Sequence, residues 1–202
     1  MDRAQLEAVG LLLAKRHVVA VDDRPEHSLL DYAERPRAGD WSLRSALVRL
    51  AQPEPHRAAE VLTLVRRLDA ALGSFTRSLE RRFVTCDREL GESPGIDAAA
   101  PYPDIRTADL ARVVRAQPDG LAVVVDSYGS VWELDADERA ALPLLAVALD
   151  LDELADELAR WAERGSNEPP ITSVDTTRAR VGSRLDDLDV PVEEAPPGRG
   201  RR

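Results

Sequence analysis

"LAVVVDSYGSVWELD", residues 121–135, decides how much sheet this chain contains. Val123, Val125, Val131 and Trp132 flank the turn residues Ser127, Tyr128 and Gly129. β-Branched and aromatic residues around such a turn favour a β-hairpin by local propensity. Valines also lose rotamer freedom in a helix, which weighs the same way. A helical alternative stands beside it, because fold context overrides propensity where packing demands it.

The stretches on either side read as helices. Downstream, "DADERAALPLLAVALDLDELADELARWAER" carries a Leu and Ala stripe at helical spacing, with a break or kink expected at Pro143. Upstream, Thr107 is placed to cap "ADLARVVRAQ", which "PDG" ends. Residues 88–104, rich in Gly, Pro and Ala, read as loop, and "VTC" before them as a short strand. In "HRAAEVLTLVRRLDAAL", Ala58, Val61, Leu62, Val65, Leu68 and Leu72 make one apolar face. Residues 74–83 are expected to continue as helix. Asp40 or Ser42 caps "SLRSALVRLAQ". At the start, "DRAQLEAVGLLLAKR" is a helix, 17–22 a β-branched strand, and "SLLDYAERPRAGDW" a second short strand and connector. After Gly165, Pro, Ser, Asp and Arg dominate without clear periodicity, so 166–202 is expected to be a mostly disordered tail. The organisation expected is residues 1–40 as a helix with short strands, 41–165 as a helical domain, then the tail. The fold class expected is α+β, predominantly α-helical.

Bulk properties narrow the function. The 202 residues carry a net charge of −10, which disfavours a phosphate backbone, so no nucleic-acid partner is expected. Lys15 is the only lysine among 27 Lys and Arg residues. No apolar run approaches the roughly 20 residues of a membrane span, and the first residues lack a signal-peptide pattern, so no membrane partner and a cytoplasmic setting are expected. Cys86 is the sole cysteine, which excludes an internal disulfide and a Cys-rich zinc site.

The order of segments resembles the aminoglycoside and small-molecule phosphotransferase family, whose fold is protein-kinase-like. Residues 2–41 are similar to that family's glutamate-bearing helix, strands and hinge, with Glu7 near the helix glutamate. "HRAAEVLTLVRRLDA" is similar to its long helix, with Asp69 where the family has His. "VTCDREL" then stands at the catalytic loop, "GID" (95–97) at the metal-binding aspartate, and "YPDIRTADLA" at a third motif that opens a helix. The likeness runs loosely over about residues 2–160. It implies the C-terminal lobe of a kinase-like phosphotransferase with a remnant of the N-terminal lobe sheet. It also implies Asp87 as the base toward an acceptor hydroxyl, Asp97 and Asp104 as magnesium ligands, and Glu7 as a nucleotide-side contact. In the same family, the segment after the third motif is helical and carries a "YG" pair, which fits residues 121–148 as helix, loop, helix.

The chain also departs from the pattern. It has no Gly-rich loop and no strand lysine, and it begins where the family's first strands would already have passed. No asparagine follows Asp87 before Asp97. Phosphoryl transfer depends on positioning and charge stabilisation, so losing these parts removes most of the rate. The expectation is a truncated, catalytically impaired phosphotransferase-like protein that binds a protein or small ligand. No cofactor is expected, or Mg-ATP if the family activity survives. Two alternatives stand: a lineage-specific helical interaction protein without kinase ancestry, and an active phosphotransferase whose nucleotide-binding part is supplied elsewhere.

Each candidate also has a plain structural reading. Asp97 and Asp104 suit turns and caps as well as cations. Asp87 suits a solvated loop. Cys86 as a nucleophile would need a nearby base, and the residues favour a buried, apolar-like cysteine. His17, His27 and His56 read as surface or strand-edge residues rather than a metal cluster. Trp41, Trp132 and Trp161 read as packing anchors.

Overall fold

The structure, a computed structural model, describes residues 1–18, 20–21, 25–86 and 102–191, with backbone alone at Ala20, Val21 and Tyr102. Its helices are α1 (Arg3–Arg16), α2 (Leu43–Leu50), α3 (Pro55–Gly73), α4 (Thr76–Leu79), α5 (Thr107–Ala116), α6 (Leu121–Gly129), α7 (Ala136–Arg164) and α8 (Ile171–Asp187). Three short strands, β1 (Ala20–Val21), β2 (Phe83–Cys86) and β3 (Tyr102–Ile105), form one antiparallel sheet in that order. The chain is therefore predominantly helical with a small sheet, as the composition of its segments implies.

Local chemistry sets the helix starts. Asp2 and Gln5 close a capping box on α1, Ser42 and Ser45 on α2, and Asp135 and Glu138 on α7. Pro55 opens α3 at a position where no amide hydrogen bond is forfeited. Gly165 ends α7 in the left-handed conformation, φ 64°. Helix α7 runs continuously through Pro143 instead of breaking there. The proline forfeits only the bond to the Arg139 carbonyl, and burial of the surrounding Leu142, Leu144 and Leu145 offsets it.

Helix α7 is the axis of the molecule. Helices α2, α3, α5 and α8 and the 3-10 turns Leu29–Asp31 and Ala38–Asp40 all pack on it. One continuous apolar core joins Leu6 and Leu13 of α1, Leu29 and Tyr32, Leu68 of α3, Leu110 of α5, Val124 of α6, Leu145 and Leu158 of α7, and Val181 of α8. Residues 1–40 thus share their core with the rest of the chain.

Several expectations need correction. Residues 121–129 are helix α6, not the first strand of a hairpin. The reason is tertiary. Val124, Val125 and Tyr128 are buried, and α6 lies so close to α1 that a Cβ on Gly10 would sit 2.7 Å from the Val124 carbonyl oxygen. Packing outweighs the few tenths of a kcal/mol per valine that propensity opposes. Of the expected strand at 17–22, Ala20–Val21 is strand β1, His17 and Val18 are turn, and 19 and 22 lie outside the described residues, while the second strand is the 3-10 turn Leu29–Asp31, capped by Ser28. Residues 74–83 yield only the short α4 before β2 begins. Tyr102–Ile105, expected as loop through 104, is strand β3, which among the described residues pairs with β2 alone, so Pro103 opposite Thr85 is tolerated at that edge.

The expected tail also changes. Residues 171–187 form α8, whose Val174, Val181 and Leu185 are fully buried. Arg57 pairs with Asp175, Glu60 with Arg178, and Arg67 with Asp186, so α3 and α8 run parallel. Asp150 of α7, fully buried, is held by Arg115, Arg180 and Arg184. Charges read as a solvated tail are the docking chemistry of a helix. Residues 192–202 lie outside the described residues. Among the described residues, no helix is long and apolar enough to cross a membrane.

Candidate functional site

Three chain segments meet at one buried point. His17 closes the C-terminus of α1, its backbone N–H bonded to the Leu13 carbonyl, which turns its ring inward. Cys86 is the last residue of β2. Asp109 lies in the first turn of α5, where the helix dipole favours a carboxylate. One ligand-capable atom from each lies within 4.8 Å of the other two. The residues are 2%, 1% and 1% exposed.

The surrounding contacts fix these groups. His17 Nε2 lies 3.3 Å from Asp109 Oδ2, and His17 Nδ1 lies 3.0 Å from the Tyr128 hydroxyl on α6. The His17 and Tyr128 rings meet edge to face at 5.6 Å. Arg112 donates to the other Asp109 oxygen at 3.0 Å. The Cys86 thiol donates to the Ile105 carbonyl at 3.6 Å. Burial pushes the Cys86 thiol far up, and the carboxylates of Asp109 and Asp104 add to that push. As it stands the thiol is protonated and no nucleophile, despite the adjacent imidazole. Burial likewise pushes the Tyr128 hydroxyl up to about 12.

The residues expected to form a magnesium and nucleotide site are placed differently. Asp104 is fully buried on β3. Its Oδ1 accepts the backbone N–H of Leu29 at 2.8 Å and of Ile105 at 2.7 Å, tying the first 3-10 turn to the sheet. Its Oδ2 is buried without a hydrogen-bond partner, and burial pushes the carboxyl up to about 6. Glu7 sits half-exposed on α1 and pairs with Arg3 one turn away. Asp87 and Asp97 lie outside the described residues. Thr107 is the first residue of α5 rather than its cap, and its buried hydroxyl has no partner. His17, expected at the surface or a strand edge, is buried at the end of α1; His56 is exposed.

A second feature is a cleft of about 340 Å³ where α7 meets α8, lined by Glu157, Trp161, Arg164, Ser166, Glu168 and Pro170. The Trp161 ring is buried, its indole N–H has no partner, and Arg49 stacks over it at 5.0 Å. The same arginine reaches Trp41 at 5.7 Å, so two of the tryptophans are packing anchors joined by one cation.

Sequence reasoning missed the buried cluster because its members are far apart along the chain. His17 and Asp109 are 92 residues apart, and no local motif links them. The available signal was a single cysteine at the end of a short strand followed by an aspartate in the first turn of the next helix. Comparison with known proteins finds no matching family model, no matching curated protein and no matching solved structure.

Proposed function

We propose that this chain is a phosphotransferase-like helical protein that acts by binding a protein segment or a small ligand and transfers no phosphate itself. The observation that carries the reading is the cleft beside Trp161. It brings the edge of Trp161, two glutamates, an arginine and a serine together in one concavity. That mix of an aromatic anchor and convergent polar groups is what small-ligand and peptide sites use.

Asp104, one of the two expected metal residues, and Glu7, the expected nucleotide-side contact, support the non-catalytic half. Asp104 spends one oxygen on two backbone amides, and Glu7 is engaged by Arg3. Phosphoryl transfer needs carboxylates free to grip magnesium on the nucleotide phosphates. Only the Oδ2 of Asp104 is left for that role, and that atom is buried out of reach of a nucleotide.

The test has two arms on the full chain. In the first, millimolar Mg-ATP is expected to leave the melting temperature unchanged, and conversion of ATP to ADP by the chain would refute the non-catalytic reading. In the second, the tryptophans are labelled with fluorotryptophan, and a fragment library is followed by fluorine resonance, with Trp161→Phe assigning the signal. Hits are expected to move the Trp161 resonance and leave Trp132 still. A library that moves no Trp161 signal rejects the cleft.

A further inference from the structure

We infer that His17, Cys86 and Asp109 form a binding site for one divalent transition-metal ion of the zinc class. The donors are of three kinds, imidazole nitrogen, thiolate sulfur and carboxylate oxygen, which together suit zinc or cobalt(II) rather than magnesium or calcium. Metal–ligand bonds of about 2.0–2.3 Å in a tetrahedron put neighbouring donors about 3.3–3.8 Å apart. The His17 Nε2 to Asp109 Oδ2 separation is already 3.3 Å, and all three donors lie within 4.8 Å of one another. Closing the set asks Cys86 to move by up to about 1–1.5 Å.

The outer contacts match those of a metal centre. A metal on His17 Nε2 requires the proton on Nδ1, and Nδ1 faces the Tyr128 hydroxyl as acceptor. Arg112 holds Asp109 Oδ1, and Oδ2 is the oxygen that faces His17 Nε2. The fourth position is left to water or an added donor. The ion also accounts for the electrostatics. Without it, the site holds a buried thiol beside a buried carboxylate, with a second carboxylate, Asp104, close enough to be felt. On the sheet, Asp104 pairs with Val84, two residues before Cys86, so the Asp104 and Cys86 side chains share one face. Its Oδ2 is itself buried and unpartnered. A dication turns this accumulation of negative groups from a cost into a match, as Cys86 gives up its proton to solvent and binds as thiolate.

Cys86 is the only cysteine, so a thiolate–metal spectrum reports one residue. The untagged full chain is unfolded with chelator and refolded with cobalt(II) alone. One cobalt per chain is expected, with a near-ultraviolet thiolate-to-cobalt charge-transfer band and visible bands of four-coordinate intensity, all bleached by zinc. Cys86→Ser is expected to remove the charge-transfer band, and His17→Ala to weaken binding at least 100-fold. Tyr128→Phe, which keeps the ring and removes only the hydroxyl, is expected to weaken it about 10-fold or more. Wild-type chain that refolds with cobalt and shows no charge-transfer band overturns the proposal, whatever the variants do. So does a band whose affinity is unchanged by His17→Ala or by Asp109→Asn.

Discussion

Replacing Gly10 by alanine tests the contact on which helix α6 depends. Gly10 is buried in the middle of α1, and alanine there would raise helix propensity by about 1 kcal/mol if nothing else changed. The added Cβ, however, would lie 2.7 Å from the Val124 carbonyl oxygen, 2.8 Å from Ser127 Cβ and 3.1 Å from the Tyr128 amide nitrogen. Carbon contacts are comfortable at about 3.5–4.0 Å, so α1 and α6 must part by about 1 Å. Two of the three blocking atoms are backbone and cannot rotate away. A gap of that size forfeits a quarter to a half of the dispersion attraction across the interface, and overpacking of this kind costs about 1–3 kcal/mol. After the propensity gain, Gly10→Ala is expected to lose about 1 kcal/mol, or about 2–4 °C in melting temperature for a chain of this size. The assay is urea unfolding alongside calorimetry, with Gly73→Ala as reference. Gly73 also lies in a helix, but a Cβ there meets nothing within 4 Å, so it is expected to be neutral or stabilising by up to about 1 kcal/mol. If Gly10→Ala proves as stable as Gly73→Ala, the helices do not touch there and the account of α6 fails.

Three further outcomes follow from the buried charges and from α8. The Asp104 carboxyl has a folded pKa near 6 against about 3.9 unfolded, so the folded chain binds more protons; its contribution is greatest below pH 4 and is lost as pH rises through 6. In chelator-treated protein, Asp104→Asn keeps an oxygen for the Leu29 and Ile105 amides, and its stability relative to wild type should improve by about 2 kcal/mol between pH 4 and pH 8; a difference flat with pH would contradict the burial argument. Asp150→Ala leaves Arg115, Arg180 and Arg184 facing one another and should cost about 3 kcal/mol in urea titrations, with a loss under about 1 kcal/mol counting against it. Ending the chain at Gly165 removes α8, uncovers the face of α3 around Leu64, and should broaden the melt and raise dye binding to exposed apolar surface; a sharp, unshifted melt would mean α8 is not part of the core.

The legible parts of the fold were those where one local signal dominated. Ser42, Pro55 and the stripe of α3 predict their helices because capping and periodicity act within a few residues. The valines of α6 misled because propensity reports the isolated chain, whereas Gly10 supplies a surface only once α1 is folded. Strand β3 was hidden by Pro103, a residue that an edge strand accepts and an inner one does not. Helix α8 was hidden because Val174, Val181 and Leu185 are too sparse to form a stripe, and its arginines and aspartates find their partners on α3 and α7. The expected site was drawn from motif order alone. What Asp104 does depends on the amide of Leu29, 75 residues away, and what Cys86 does depends on His17; neither can be read from neighbours in sequence.

The parallel run of α3 and α8 has a consequence for how the molecule is made. Arg57 reaches Asp175 across 118 residues, Arg178 reaches Glu60 across 118, and Arg67 reaches Asp186 across 119. A growing chain emerges from its amino end, so α3 waits through the synthesis of more than a hundred residues before its partner exists. During that wait Leu64 faces water, and Asp150 has Arg115 but neither Arg180 nor Arg184. Closing so long a loop carries its entropic cost before any contact repays it. The fold is therefore completed from its carboxyl end, and a nascent chain halted before residue 171 exposes an unfinished apolar face of the kind that chaperones and proteases read.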